Sequence, residues 1–178
     1  MIDKSRKGLT LFNACEDEVF YDYIIYTDGA YSQKNDEGAF AYVILDEKEN
    51  IIKWGAWKIE HETNNRAELK AIIAAIHHLP DDAHRVKVIS DSQYALYTLS
   101  GKWSRNANTD LFDAFDNVVL RRRADIEITY EWVKGHNGNR FNEMCDAMCN
   151  DKLGYDANAE FEKYKLYKQQ KRQWSQKR

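Results

Sequence analysis

Apolar positions along the chain change spacing several times, and each change marks a predicted element. Residues 19–28, VFYDYIIYTD, are dense in Tyr, Ile and Val and run into Asp28-Gly29, which predicts a buried strand closed by a turn at Asp28. Residues 38–46 and 50–59 are again aromatic and β-branched, with the polar DEKEN between them, so the first three strands are expected to form an antiparallel meander. The period then lengthens. Thr63 or Asn64 can cap a helix in which Leu69, Ile72, Ile73, Ile76 and Leu79 recur at helical spacing up to Pro80, with Glu68 in its first turn.

RVKVIS at 85–90 alternates as a fourth strand would and leads through Asp91 into a short helix of Tyr94, Leu96, Tyr97 and Leu99 that Gly101 ends. Beyond the polar KWSRNANTD, Leu111, Phe112, Phe115, Val118, Val119 and Leu120 predict a third helix, with Arg121, Arg122 and Arg123 in its last turn, where cations suit the helix dipole. Residues 125–133 read as a fifth strand, and Glu143 to Leu153 as a final helix after a glycine-flanked loop. The order β-β-β-α-β-α-α-β-α describes an α/β domain: a five-stranded mixed sheet, its first three strands antiparallel, with helices on both faces.

A length of 178 residues suits one domain with short tails. The expected division is an extension at 1–18 in which no role is legible, the α/β domain at 19–153, and a basic, aromatic, helical tail at 154–178. No apolar stretch nears the roughly 18 residues that span a bilayer, and the N-terminus lacks a signal peptide's apolar centre. No membrane partner and a cytoplasmic location are therefore expected. Three cysteines do not make a secreted disulfide framework, and Cys145 and Cys149, four apart in a helix, read as packing thiols.

The net charge of −3 conceals a division. Residues 161–178 hold seven Lys and Arg against Glu162 alone, a surplus of +6 that leaves the rest of the chain at −9. An acidic body lacks the cations that release counterions from phosphates, so any nucleic acid must be held by a metal, a groove or the tail. In the tail Lys165, Lys168, Lys171 and Arg172 alternate with Tyr164, Tyr167 and Trp174, a pattern that combines phosphate attraction with base stacking. The alternative is a solvated helix whose aromatics pack on the body.

Four acids carry the candidate chemistry. Taken singly, Asp28 is ordinary turn chemistry, Asp91 a helix cap, and Glu68 a first-turn acid favoured by the helix dipole. Asp146, in a mostly apolar helical stretch, has the weakest ordinary explanation, because an unpaired buried carboxylate is costly. Together at strand ends and facing helices, the four would repel one another unless a cation sat among them. Oxygen ligands suit Mg²⁺ or Mn²⁺ rather than zinc. Two such ions, roughly 3.5–4 Å apart, can activate a water and stabilise the leaving oxygen of a phosphodiester.

The segments around these acids, Tyr26-Thr-Asp-Gly-Ala30, Thr63-Asn-Asn-Arg-Ala-Glu-Leu69, Ser90-Asp-Ser-Gln-Tyr94, Trp132-Val-Lys-Gly-His136 and Asn142-Glu-Met-Cys-Asp146, stand in the order and spacing of a known family. From residue 22 to about 152 the chain resembles type 1 ribonuclease H, in a form with a shortened basic protrusion. The resemblance implies a monomeric endonuclease that hydrolyses the RNA strand of RNA–DNA hybrids with two Mg²⁺ ions, or Mn²⁺ in their place, and leaves 3′-hydroxyl and 5′-phosphate ends. It implies Asp28, Glu68, Asp91 and Asp146 as metal ligands, and His136 as the histidine that assists proton transfer or product departure. It further implies Thr63 at a phosphate of the DNA strand, and Asn64, Asn65 and Gln93 at the hybrid's minor groove, where amides can address base edges and 2′-hydroxyls. An ordinary cap remains the other reading of Asn64, and His61, His77, His78 and His84 read as solvated or polar-face histidines.

Two stretches depart from the family pattern. The connection after Gln93 offers only Lys102, Trp103 and Arg105, and Ser32-Gln-Lys-Asn-Asp-Glu37 replaces a glycine-rich turn. Rival readings are another nuclease or strand-transferring enzyme of the same fold, and a nucleic-acid-binding module that has lost catalysis. Retention of all four acids and His136 weighs against the last.

Overall fold

The three N-terminal apolar runs form the expected meander: β1 (Tyr23–Ser32), β2 (Glu37–Asp46) and β3 (Ile51–Glu60) pair antiparallel in sequence order. The computed structural model describes residues 20–122 and 126–155. Its other elements are α1 (Asn64–His77), β4 (Arg85–Ser90), α2 (Gln93–Leu99), α3 (Thr109–Arg122), β5 (Glu127–Trp132) and α4 (Arg140–Lys152). β4 adds parallel to β1, and β5 parallel to β4, giving the sheet order β3-β2-β1-β4-β5. The α/β architecture read from the pattern is thus the one observed.

Strand β2 is buried on both faces, which is why its apolar run is nearly continuous rather than alternating. Tyr42 and Ile44 face the larger core, with Ile25, Leu69, Ile72, Ile76, Val86, Val88, Leu96 and Phe112. Ala39, Ala41, Val43 and Leu45 face the opposite way, onto Phe141, Met144, Cys145, Met148 and Cys149 of α4. Helices therefore cover both faces. The thiols of Cys145 and Cys149 are free and buried, and they donate to the carbonyls of Tyr26 (3.4 Å) and Asp28 (3.5 Å). Burial pushes both thiols up, which keeps them protonated as packing groups and bears out that reading.

Several local expectations are corrected. β1 does not close at Asp28: it pairs with β2 as far as Ser32↔Glu37, and the turn comes at residues 33–36. The Asp-Gly dipeptide lies inside the strand because Gly29 meets a helix backbone rather than solvent. The turn is tied by Asp36, which accepts from the Tyr31 hydroxyl (2.6 Å) and pairs with His61 Nδ1 (2.5 Å). Thr63, not Asn64, caps α1 by accepting from the Arg66 amide (3.3 Å), so Glu68 falls in the second turn and the dipole of the first does not explain it. Ser92, not Asp91, caps α2. α4 begins at Arg140, capped by Asn139, three residues before the expected start.

His78 is no solvated residue of a polar face either. Its ring stacks on Tyr42 (5.5 Å) and Trp57 (5.9 Å), and its Nδ1 lies 2.8 Å from the Ala74 carbonyl oxygen. Arg66 joins α1 to α3 through a bidentate pair with Asp110 (2.8 and 2.7 Å) and also bonds Glu62. Cys15, Arg123, the extension at 1–18 and the tail residues Lys165, Lys168, Lys171, Arg172 and Trp174 lie outside the described residues. Among the described residues, no helix is long and apolar enough to cross a membrane.

Candidate active site

The sheet has a notch. β4 ends at Ser90, which pairs with Thr27, whereas β1 runs on to Ser32 with only β2 beside it. Past Thr27 one flank of β1 is therefore open, at the carboxyl ends of two parallel strands, the place where open α/β sheets take ligands. Side chains from both layers can meet there. Asp28 lines the notch from β1, and Asp91 follows the last residue of β4.

Glu68 reaches the same point from α1 because Gly29 has no side chain. A Cβ on Gly29 would lie 2.4 Å from Glu68 N, 2.7 Å from Ala67 C and 2.9 Å from Glu68 Cα, so α1 rests directly on β1 at this residue. One carboxylate oxygen each from Asp28, Glu68 and Asp91 lie within 4.8 Å of one another. Asp146, on α4, lines the same cleft of about 430 Å³ but stands outside that closest group.

Burial, then the charges of Asp91 and Asp146, hold the Asp28 carboxyl well above its ordinary 3.8. Burial, then Asp28 and Asp91, do the same to Glu68 against an ordinary 4.5. Asp146 is also raised, chiefly by burial. Like charges about 4 Å apart repel by about 4 kcal/mol at an effective dielectric near 20, a large fraction of a domain's stability. Only a proton or a cation can relieve such a cluster. Glu68 Oε2 is moreover buried with no hydrogen-bond partner among the described residues. An all-oxygen group with an unpartnered buried carboxylate atom fits a hard divalent cation such as Mg²⁺ or Mn²⁺.

The raised groups have a consequence for stability. Their folded pKa values exceed the unfolded ones, so their contribution is fully present below about pH 4 and is lost as the pH rises through the folded values. Asp22, held below 3.8 by the amides of Arg85 and His84, acts in the opposite sense, losing its contribution as the pH falls. In chelator, the melting temperature of the wild-type chain is therefore expected to fall from pH 5 to pH 8 relative to Asp28→Asn. Thermal scans of the two proteins at matched pH check this, and parallel curves would contradict the raised carboxyls.

The loop from β5 to α4 closes the cleft. His136, exposed and with a left-handed backbone (φ 52°), places Nδ1 3.9 Å from Asp146 Oδ2. Gly138 (φ 81°) donates its amide to Glu143 Oε1 (2.8 Å), which ties the loop to α4. Asn64 lines the cleft from the first residue of α1, with its amide released from the cap role that Thr63 performs. Thr63, Asn65 and Gln93 do not line it; they are exposed at the starts of α1 and α2.

Two cleft residues escape a sequence reading. Asn142 is buried and donates Nδ2 to Asp91 Oδ2 (3.4 Å), and its legible signal is a position four residues before Asp146, on the same helix face. Tyr31 lines the wall beside Ala30, and nothing in the local pattern distinguishes it from any other strand tyrosine.

The family model described as RNase H matches residues 21–153. A ribonuclease H of Anaeromyxobacter dehalogenans is 33% identical over 145 residues, covering 71% of this chain and 76% of its own length. Ribonuclease HI of a Synechocystis species is 32% identical, covering 70% and 82%. Among solved structures, RNase H1 of Halobacterium salinarum aligns at a TM-score of 0.59 with 28% identity, over 74% of this chain and 97% of that one. LC11-RNase H1, solved in complex with an RNA/DNA hybrid, aligns at 0.61 with 23% identity, over 74% and 96%, a likeness of fold.

Proposed function

Because this chain belongs to the ribonuclease H family and is an enzyme of that class, we propose that its notch cleaves the RNA strand of RNA–DNA hybrids, leaving 3′-hydroxyl and 5′-phosphate ends. The observation that carries the reading is the convergence of Asp28, Glu68 and Asp91 within 4.8 Å, with Asp146 in the same cleft. These four would hold two Mg²⁺ ions, or Mn²⁺ in their place. When bound, such ions supply Lewis-acid activation of a water and stabilisation of the leaving oxygen.

The chain's own residues do the rest. The carboxylates line one face of the cleft and would meet an anionic phosphodiester only with cations between them. Asn64 in the cleft, the exposed amides of Asn65 and Gln93 and the Thr63 hydroxyl would address the 2′-hydroxyls and base edges of one strand and the backbone of the other. The hybrid in the LC11-RNase H1 complex supports that substrate class. His136, with Nδ1 3.9 Å from Asp146 Oδ2, would exchange a proton with a group held near Asp146. Residues 154–178 would add phosphate attraction to an otherwise acidic body.

His136→Ala is expected to lower kcat by about 10²-fold, the ordinary worth of a proton-transfer group, with KM for the hybrid little changed. Steady-state kinetics check it; a loss confined to KM would make His136 a binding residue instead. The reading as a whole is tested by incubating the full chain with labelled hybrid, double-stranded RNA and duplex DNA in Mg²⁺, Mn²⁺ or chelator. Metal-dependent cutting of the hybrid's RNA strand is expected. Cleavage that survives chelator, or equal cutting of double-stranded RNA, would refute it.

A further inference from the structure

Asp91 is the least enclosed of the three closest acids. Asp28 and Glu68 are buried. Asp91 sits just beyond the free end of β4 and is only partly buried. A carboxylate at a strand end has rotameric freedom that a ligand of a shared cation cannot keep, so something must aim it.

The surroundings of Oδ2 supply the means. Asn142 Nδ2 donates to it (3.4 Å) and is the one hydrogen-bond donor to this carboxylate among the described residues. On another side Gly135 leaves it room: a Cβ there would lie 2.4 Å from Asp91 Oδ2. The main chain is held as well, since Trp132 Nε1 donates to the Asp91 carbonyl (2.9 Å). Asp91 thus occupies a slot built by β5, its following loop and α4.

Asn142 is costly to keep where it is. It is 2% exposed, its helix neighbours Phe141 and Cys145 are apolar core residues, and its Oδ1 is buried without a partner among the described residues. A buried acceptor left without a partner loses the hydrogen bonds that water would have given it, so it is unfavourable. Turning the amide over would not help, because it would set Oδ1 against the Asp91 carboxylate. The side chain is neutral, so it supplies a donor without a fifth negative charge, and it shares the cleft with Asp146 one helical turn later.

We propose that Asn142 is a positioning residue that aims the Asp91 carboxylate for cation binding, in a slot that requires glycine at position 135. The inference rests on the ribonuclease reading of the cleft. It implies that α4 serves the site twice, through Asp146 directly and through Asn142 acting on Asp91.

The test is a calorimetric titration of Mn²⁺ and Mg²⁺ into the full chain without nucleic acid, paired with kcat and hybrid KM across metal concentration. Asn142→Ala is expected to weaken metal uptake and to lower kcat, each by about 10- to 100-fold, as loss of a ligand's hydrogen-bond partner does elsewhere. Hybrid KM at saturating metal should stay within about twofold of wild type, well below that loss. Gly135→Ala, which crowds the same oxygen, should give the same signature, and Asn142→Leu, of similar size but without a donor, decides the matter if Asn142→Ala does not fold. A folded Asn142→Ala with wild-type metal uptake and kcat would overturn the inference alone. Absence of metal uptake by the wild type would overturn the ribonuclease reading together with it.

Discussion

Asp28→Asn is expected to lower hybrid cleavage by roughly three orders of magnitude, about 4 kcal/mol of barrier, while raising the melting temperature of the metal-free chain. The two effects have one origin. Asp28 is 7% exposed and faces Asp91, Asp146 and Glu68, so its charge is tolerable only when cations balance it. An amide of the same shape removes that repulsion, and each kcal/mol relieved raises the melting temperature by roughly 3 °C for a domain of this size. The same amide is a poor ligand for a hard cation and leaves the others at their original places with one charge fewer. Single-turnover cleavage in Mg²⁺ and thermal scans in chelator measure both. Wild-type turnover would remove Asp28 from the chemistry, and a fall in melting temperature would show that the acids are not in conflict.

Gly29→Ala is the second large effect, and it acts through packing alone. The added methyl would meet three main-chain atoms of α1 at 2.4–2.9 Å, and no side-chain rotation can move them. Relief requires the helix to lift from β1, which is expected to cost about 3 kcal/mol or more, the upper range for overpacking a core. Because Glu68 rides on that helix, cleavage should fall in parallel. Gly38→Ala is the control: its methyl would meet carbons of the Ile59 side chain at 2.9 and 3.2 Å besides the Ala30 carbonyl oxygen at 3.1 Å, and the strands can yield there at lower cost. Urea denaturation compares the two. A Gly29→Ala protein within about 1 kcal/mol of wild type would contradict the close contact, since surface-like substitutions rarely exceed that.

The elements were legible because they rest on local chemistry. Apolar spacing located the five strands and four helices of the described residues, with β4 at 85–90 matching to the residue, and Gly101 (φ 79°) ends α2 as its position after the apolar run implies. Errors came where a local preference yields to a partner. Asp28-Gly29 carries a strong turn signal, yet β2 on one side and α1 above hold it extended. His78 has the composition of a polar face, yet Trp57 from the edge strand lies against it.

Motif order was enough to identify the family, because its marks lie in five recognisable segments of the chain, and the four acids, His136 and the amides of Asn64, Asn65 and Gln93 are proposed as site residues on that resemblance. What sequence could not decide is which groups face one another across the notch. That depends on β4 stopping one register position before Asp28, on the bare Cα of Gly29, and on the rotation of α4 that puts Asn142 beside Asp91. Local spacing dictates how each segment coils and which side it buries. The distances between charges fixed on different segments arise only when the layers pack, and those distances determine whether the acids repel, share a proton or hold a cation.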